Sequence, residues 1–223
     1  DPDGFVLMVE GGRIDHGHHA SSAFLALHDA LAFSQAVAAA LERVDLDETL
    51  VVVTADHSHV FSIAGYPERG NDILGLVRRT DERGDLAGQL MRDLNGRPYT
   101  TLGYANGPGH LTASAQQPAG PKQFPHLPRG PAETPLTPAV RPDLTEVATN
   151  GPRYLQESSV PLQTETHAGE DVAIYAGGPG SRLFHGVQEQ SYVYHAIVDA
   201  LGWTRPTPAT PPTPGWLERL FGR

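Results

Sequence analysis

The sequence predicts an α/β protein built around a mostly parallel sheet. Three observations carry that prediction. Phe5 to Val9 is a short apolar run ending at Glu10 and a Gly11-Gly12 turn, the pattern of a buried strand. Ala20 to Val44 is alanine-rich and proline-free, with Phe24, Leu27, Leu31, Val37, Leu41 and Val44 near a helical period. Leu50 to Thr54, LVVVT, is a β-branched run bounded by turn residues. Strand, helix and strand in that order make a βαβ unit, and ligands of open α/β sheets gather beyond the carboxyl ends of such strands.

Each element follows in order. The stretch Phe5 to His19, FVLMVEGGRIDHGHH, organises the rest. Asp15 and His19 stand i, i+4, on one face if a helix begins near Ile14. The chain opens DPDG, without methionine or leader, and reads as the middle of a larger protein, so targeting cannot be judged from it. Residues 1–64 form the first part of the core. Residues 65–165 are rich in Gly, Pro and Thr and read as an inserted, irregular subdomain that needs another surface to pack against. Tyr99 to Tyr104 suits a strand there, whereas Pro125, Pro128, Pro131, Pro135 and Pro138 favour an extended loop. Core chemistry resumes over 166–203, with a strand at Val172 to Ala176 and a helix at Tyr192 to Leu201. Residues 204–223 are a Pro/Thr linker and a short amphipathic tail.

Composition bounds the chemistry. With 223 residues, 39% of them hydrophobic, the chain can bury a core. The net charge of -10 argues against a general nucleic-acid or anionic-membrane binder, because no basic field exists to displace counterions from phosphates. There is no cysteine, so any metal is held by oxygen and imidazole. No run of 18 apolar residues marks a transmembrane segment.

Polar residues fall into three groups: Glu10, Asp15, His16, His18 and His19; Asp56, His57 and His59; His167, Glu170 and Asp171. A lone histidine is more often hydrogen-bonded or solvated than metal-bound, and Glu170 and Asp171 read equally well as water-facing residues at a strand start. Carboxylates clustered at strand ends, however, cost several kcal/mol each to bury unless cations compensate them. Histidine-plus-carboxylate sets suit zinc and pure oxygen sets suit magnesium, so more than one metal is expected. Paired metals about 3.5 to 4 Å apart serve phosphoryl displacement.

The strings VEGGRIDHGHH, VTADHSHVFSIAGYPERG and ETHAGEDVAIYAGGPGSRLFHGVQEQ closely resemble the alkaline phosphatases, nearer the animal-type branch than the enterobacterial one. The resemblance covers residues 5–202 in order and is weakest over 111–139. It implies a three-layer sandwich around the parallel sheet, with residues 65–165 as a crown-like insertion. It implies two zinc ions and one magnesium per subunit: Asp15, His19 and His167 on the first zinc, Asp56 and His57 on the second, Glu10 on magnesium. His59 falls beside the zinc-binding aspartate, His16 near the phosphate, and Tyr66 where animal-type members send a tyrosine to the neighbouring subunit of a homodimer. The activity implied is hydrolysis of phosphate monoesters through a phosphoserine, in the periplasm or outside the cell.

The family's nucleophilic serine and phosphate-clamping arginine have no matching motif here; Ser58, close to candidate ligands, lacks it. The resemblance is therefore to a C-terminal portion, inactive alone. Two alternatives stand beside it: a related sulfatase or phosphodiesterase, which the pairing of His19 with His167 disfavours, and a noncatalytic metal-binding remnant.

Overall fold

A computed structural model describes residues 4–79, 83, 88–128 and 140–203. The linker and tail expected over 204–223, and Pro131, Pro135 and Pro138 of the expected extended loop, lie outside the described residues. In chain order the helices are α1 (Arg13–His19), α2 (Ala23–Leu41) and α3 (Tyr192–Ala200), with a 3-10 turn at Ser181–Leu183. The strands are β1 (Val51–Thr54), β2 (Ser58–His59), β3 (Phe61–Ile63), β4 (Arg78–Arg79), β5 (Gln89–Leu90), β6 (Leu102–Gly107), β7 (Ser158–Pro161), β8 (His167–Ala168) and β9 (Ile174–Gly177).

The mostly parallel sheet is corrected by these pairings. Of the five described strand pairs, β1–β9, β2–β8, β3–β6 and β4–β5 are antiparallel and only β6–β7 is parallel. The expected βαβ unit lacks its first member: Phe5 to Val9 form no strand and are 61–80% exposed. An apolar run supplies a face to bury, but a strand also needs a neighbour for its N–H and C=O groups. Val51–Thr54 finds that neighbour in Ile174–Gly177, running the other way.

The chain divides into two compact units. The first joins Asp1–Glu42 to His57–Val172. The long helix expected over Ala20 to Val44 is α2, preceded by a separate α1. The two are broken at Ser21, whose φ of 56° lies in the left-handed region, and Ser22 caps α2 by accepting the Leu25 N–H at 3.3 Å. Gly17 lets α1 lie against α2. Length and composition alone would let α2 cross a bilayer. Its first turn is instead built into this unit: Ala23 and Ala26 are buried, and the Ala23 N–H donates to Gln156 Oε1 at 2.7 Å. Ala23, Leu74 and Leu102 form a buried cluster, flanked by Phe24, Leu27 and Phe61. Among the described residues, seven of the eleven buried apolar ones, from Leu74 to Leu155, belong to the stretch 65–165. That stretch therefore buries apolar side chains without any periodic run, and it clamps itself with Arg141, which donates to Asp93 at 2.7 Å and to both Glu157 oxygens at 2.7 and 3.0 Å.

The second unit joins Arg43–Asp56 to Ala173–Arg223. Its ribbon pairs Val51 with Gly177 and Thr54 with Ile174, and Ala196 and Val198 on α3 are buried. Gly178, with a φ of 94°, makes the turn out of β9, a conformation that side chains disfavour.

Candidate metal centre

Three short segments of the first unit bring the imidazoles together. On α1, Asp15 and His19 are one turn apart, and their Oδ1 and Nε2 atoms are 3.1 Å apart. The β2–β8 pairing sets His59 directly across from His167. His57 precedes β2 and stacks on His167, ring centroids 3.4 Å apart.

Asp15 Oδ1 is the focus. It lies 3.1 Å from His19 Nε2, 3.2 Å from His59 Nε2, 3.3 Å from His167 Nε2 and 3.8 Å from His57 Nε2. Yet this buried oxygen accepts no hydrogen bond of acceptable geometry from any described residue. Four nitrogens crowding one unsatisfied carboxylate oxygen is an arrangement that a cation resolves. The donors fit zinc. His19 Nδ1–H donates to the Glu165 carbonyl at 2.7 Å, which leaves Nε2 bare and aimed inward. His19 Nε2 and His167 Nε2 are 3.1 Å apart, close to the roughly 3.3 Å between two ligands of a tetrahedral zinc with Zn–N bonds of about 2.0–2.1 Å. Among the described residues, two overlapping groups could hold divalent ions: Asp15, His57, His59 and His167, and His19, His59 and Glu165.

Among the described residues, Glu10, His16, Tyr66 and Glu170 belong to neither of these groups. Glu10 is exposed, its Oε1 3.1 Å from where a β-carbon on Gly12 would sit. His16 is exposed on α1. Asp56 belongs to the second unit, where Gln190 Nε2 donates to its carbonyl at 3.0 Å. Tyr66 is 99% exposed. Glu170 accepts from Ser58 Oγ at 2.6 Å, which holds its carboxyl below the usual range.

His18 and Glu165 support the group from behind. His18 stacks on His59 at 4.4 Å and pairs through Nδ1 with the Tyr104 hydroxyl at 2.9 Å. Burial, then the neighbouring His59, push its pKa down to about 4, so it stays a neutral shelf. Burial raises the Tyr104 phenol above its ordinary range. Sequence reasoning gave Glu165 no role. Its signal was spacing alone, two residues before His167, the period of an extended chain.

Helices and short strands that converge an aspartate and four imidazoles define a candidate divalent-metal centre. The chain belongs to the alkaline phosphatase family, whose pattern it matches over residues 1–203. It is 38% identical over 200 residues to the tissue-nonspecific isozyme of alkaline phosphatase from Felis catus, covering 90% of this chain and 32% of that protein. An alkaline phosphatase of Gadus morhua is also 38% identical, over 90% of this chain and 35% of its own length. The tissue-nonspecific isozyme of Rattus norvegicus is 37% identical over 97% of this chain and 36% of its length. The chain thus spans about a third of these relatives.

Proposed function

We propose that this chain is the C-terminal, metal-ligating portion of an animal-type alkaline phosphatase that hydrolyses phosphate monoesters through a phosphoserine. The observation that carries the reading is Asp15 Oδ1, unsatisfied and surrounded by four imidazole nitrogens at 3.1 to 3.8 Å. In this reading Asp15, His19 and His167 hold the first zinc, Asp56 and His57 the second, and Glu10 a magnesium, two zinc ions and one magnesium per subunit. When bound, such cations lower the pKa of an attacking hydroxyl and neutralise charge on the leaving oxygen.

The residues present do the holding and aiming. Asp15 and His19 present ligand atoms from one turn of helix, His167 and His57 from the β2–β8 pair and the residue before it, and His16 lies on the same helix for a role near phosphate. Nucleophile and arginine come from sequence outside these 223 residues, in keeping with the absence of a matching serine motif. Residues 65–165 form the crown of a homodimer, with Tyr66 reaching the neighbouring subunit. The enzyme works in the periplasm or outside the cell, as implied by the family.

The test compares the full-length enzyme with the 223-residue chain. The full-length enzyme hydrolyses an aryl phosphate, is silenced by chelation and loses at least about 1,000-fold of its activity in Asp15→Ala, whereas the chain alone shows no turnover. Zinc-dependent turnover by the chain alone, or chelator-resistant activity of the full enzyme, would overturn the reading.

A further inference from the structure

Among the described residues of the first unit, Glu165 is the one fully buried acid, with 0% exposure, so its carboxylate needs strong partners. Among the described residues, two adjacent ones donate hydrogen bonds to it, His59 Nδ1 at 2.8 Å on Oε2 and the Val60 N–H at 2.9 Å on Oε1, and His19 Nδ1 lies 3.5 Å from Oε2. Its main chain is engaged as fully. The Glu165 N–H donates to the His19 carbonyl at 3.0 Å, and the Glu165 carbonyl accepts His19 Nδ1–H at 2.7 Å.

We infer that Glu165 is a positioning residue of the metal centre, whose buried carboxylate keeps the His59 proton on Nδ1 and aims Nε2 at Asp15 while its backbone fixes His19. At the other end of the His59 ring, Nε2 lies 3.2 Å from Asp15 Oδ1. A ring pinned on one edge by Glu165 and on one face by His18 cannot rotate without breaking a charge-assisted bond and leaving an acid buried and unpaired. One residue thereby sets the imidazole of His19 through its carbonyl and that of His59 through its carboxylate. Outer partners of this kind typically change metal affinity by about 10- to 100-fold.

The inference rests on the metal-binding reading above, so its test includes a measurement that needs no metal. In the metal-free full chain, nitrogen-15 NMR should find His59 protonated on Nδ1; a wild-type His59 with bare Nδ1 overturns the inference whatever the variants do. Glu165→Gln, which keeps the size and an acceptor but removes the charge, should shift the proton distribution of His59 and weaken zinc binding about 10- to 100-fold in a chelator competition. Glu165→Asp should restore part of both. Unchanged tautomer and affinity in a folded Glu165→Gln overturn the proposal but leave the metal site standing. Wild type that binds no zinc while His59 shows Nδ1–H sinks the metal-binding reading instead.

Discussion

A β-carbon on Gly17 would lie 2.5 Å from the Ala26 amide nitrogen and 2.9 Å from its Cα. Glycine is thus required where α1 meets α2, by backbone contact that no rotamer change relieves. Gly17→Ala should push the helices apart and destabilise the first unit by about 1–3 kcal/mol in urea titration. Because Asp15 and His19 flank Gly17 on α1, zinc affinity should fall with it. A variant with wild-type midpoint and affinity would show that α1 shifts freely.

Metal affinity should be uneven across the centre. Asp15, His19 and His167 have ligand atoms within 3.1–3.3 Å of one another, whereas Glu10 lies exposed outside both clusters. Calorimetric titration of the chain should show one strong zinc site, weakened more than about 100-fold in His167→Ala, beyond the range of an outer partner. Equal binding by that variant would reject His167 as a ligand.

Buried bases in the stretch 65–165, His110 and Lys122 among them, make stability rise with pH. Burial, followed by Lys122 and His126, pushes His110 from 6.5 down to about 4. Between those values the unfolded chain binds a proton that the native protein does not, so stability is whole above about 6.5 and is lost as pH falls towards 4. Lys122, fully buried and donating to the Pro118 and Gly120 carbonyls, is pushed by burial from 10.5 to about 8. The same sign holds: the midpoint should climb from pH 8 to about 9.5, before unfolded tyrosines ionise. The two steps are worth at most about 3 kcal/mol each. Urea midpoints of Lys122→Met should lack the upper rise; its persistence would remove Lys122 as the cause.

Tyr66, at 99% exposure, is a large aromatic ring without cover. Sedimentation of full-length enzyme should give a dimer at micromolar concentration, and Tyr66→Ala should weaken it by about 2 kcal/mol, as for an anchor residue. A wild-type monomer would sink the dimer, and an unchanged dimer constant would sink only the part given to Tyr66.

How legible the protein was in its sequence depended on whether one residue or two had to be known. Val51–Thr54 and α3 fall within a residue of expectation, since each reports its own burial and propensity. Asp15 and His19 converge because helical spacing dictates it. Strand direction belongs to pairs, so Phe5 to Val9 gave the composition of a strand and no information about a partner, and the parallel sheet went with it. The break at Ser21 hid in a continuous apolar pattern, although Ser21-Ser22 carried the capping signal. Glu165 looked like any polar residue between threonines because total burial is a tertiary property.

The residues around Asp15 come from stretches far apart in the chain: 15–19, 57–59 and 165–167. A divalent ion shared among them would close one loop of roughly 40 residues and another of roughly 105, and cross-links of such span typically restrict an unfolded chain by about 2–4 kcal/mol. In a chain with no cysteine, that ion is the nearest equivalent of a disulfide. It is one that a chelator can cut and added metal can reseal, so resistance to proteolysis should track zinc concentration in solution as well as temperature.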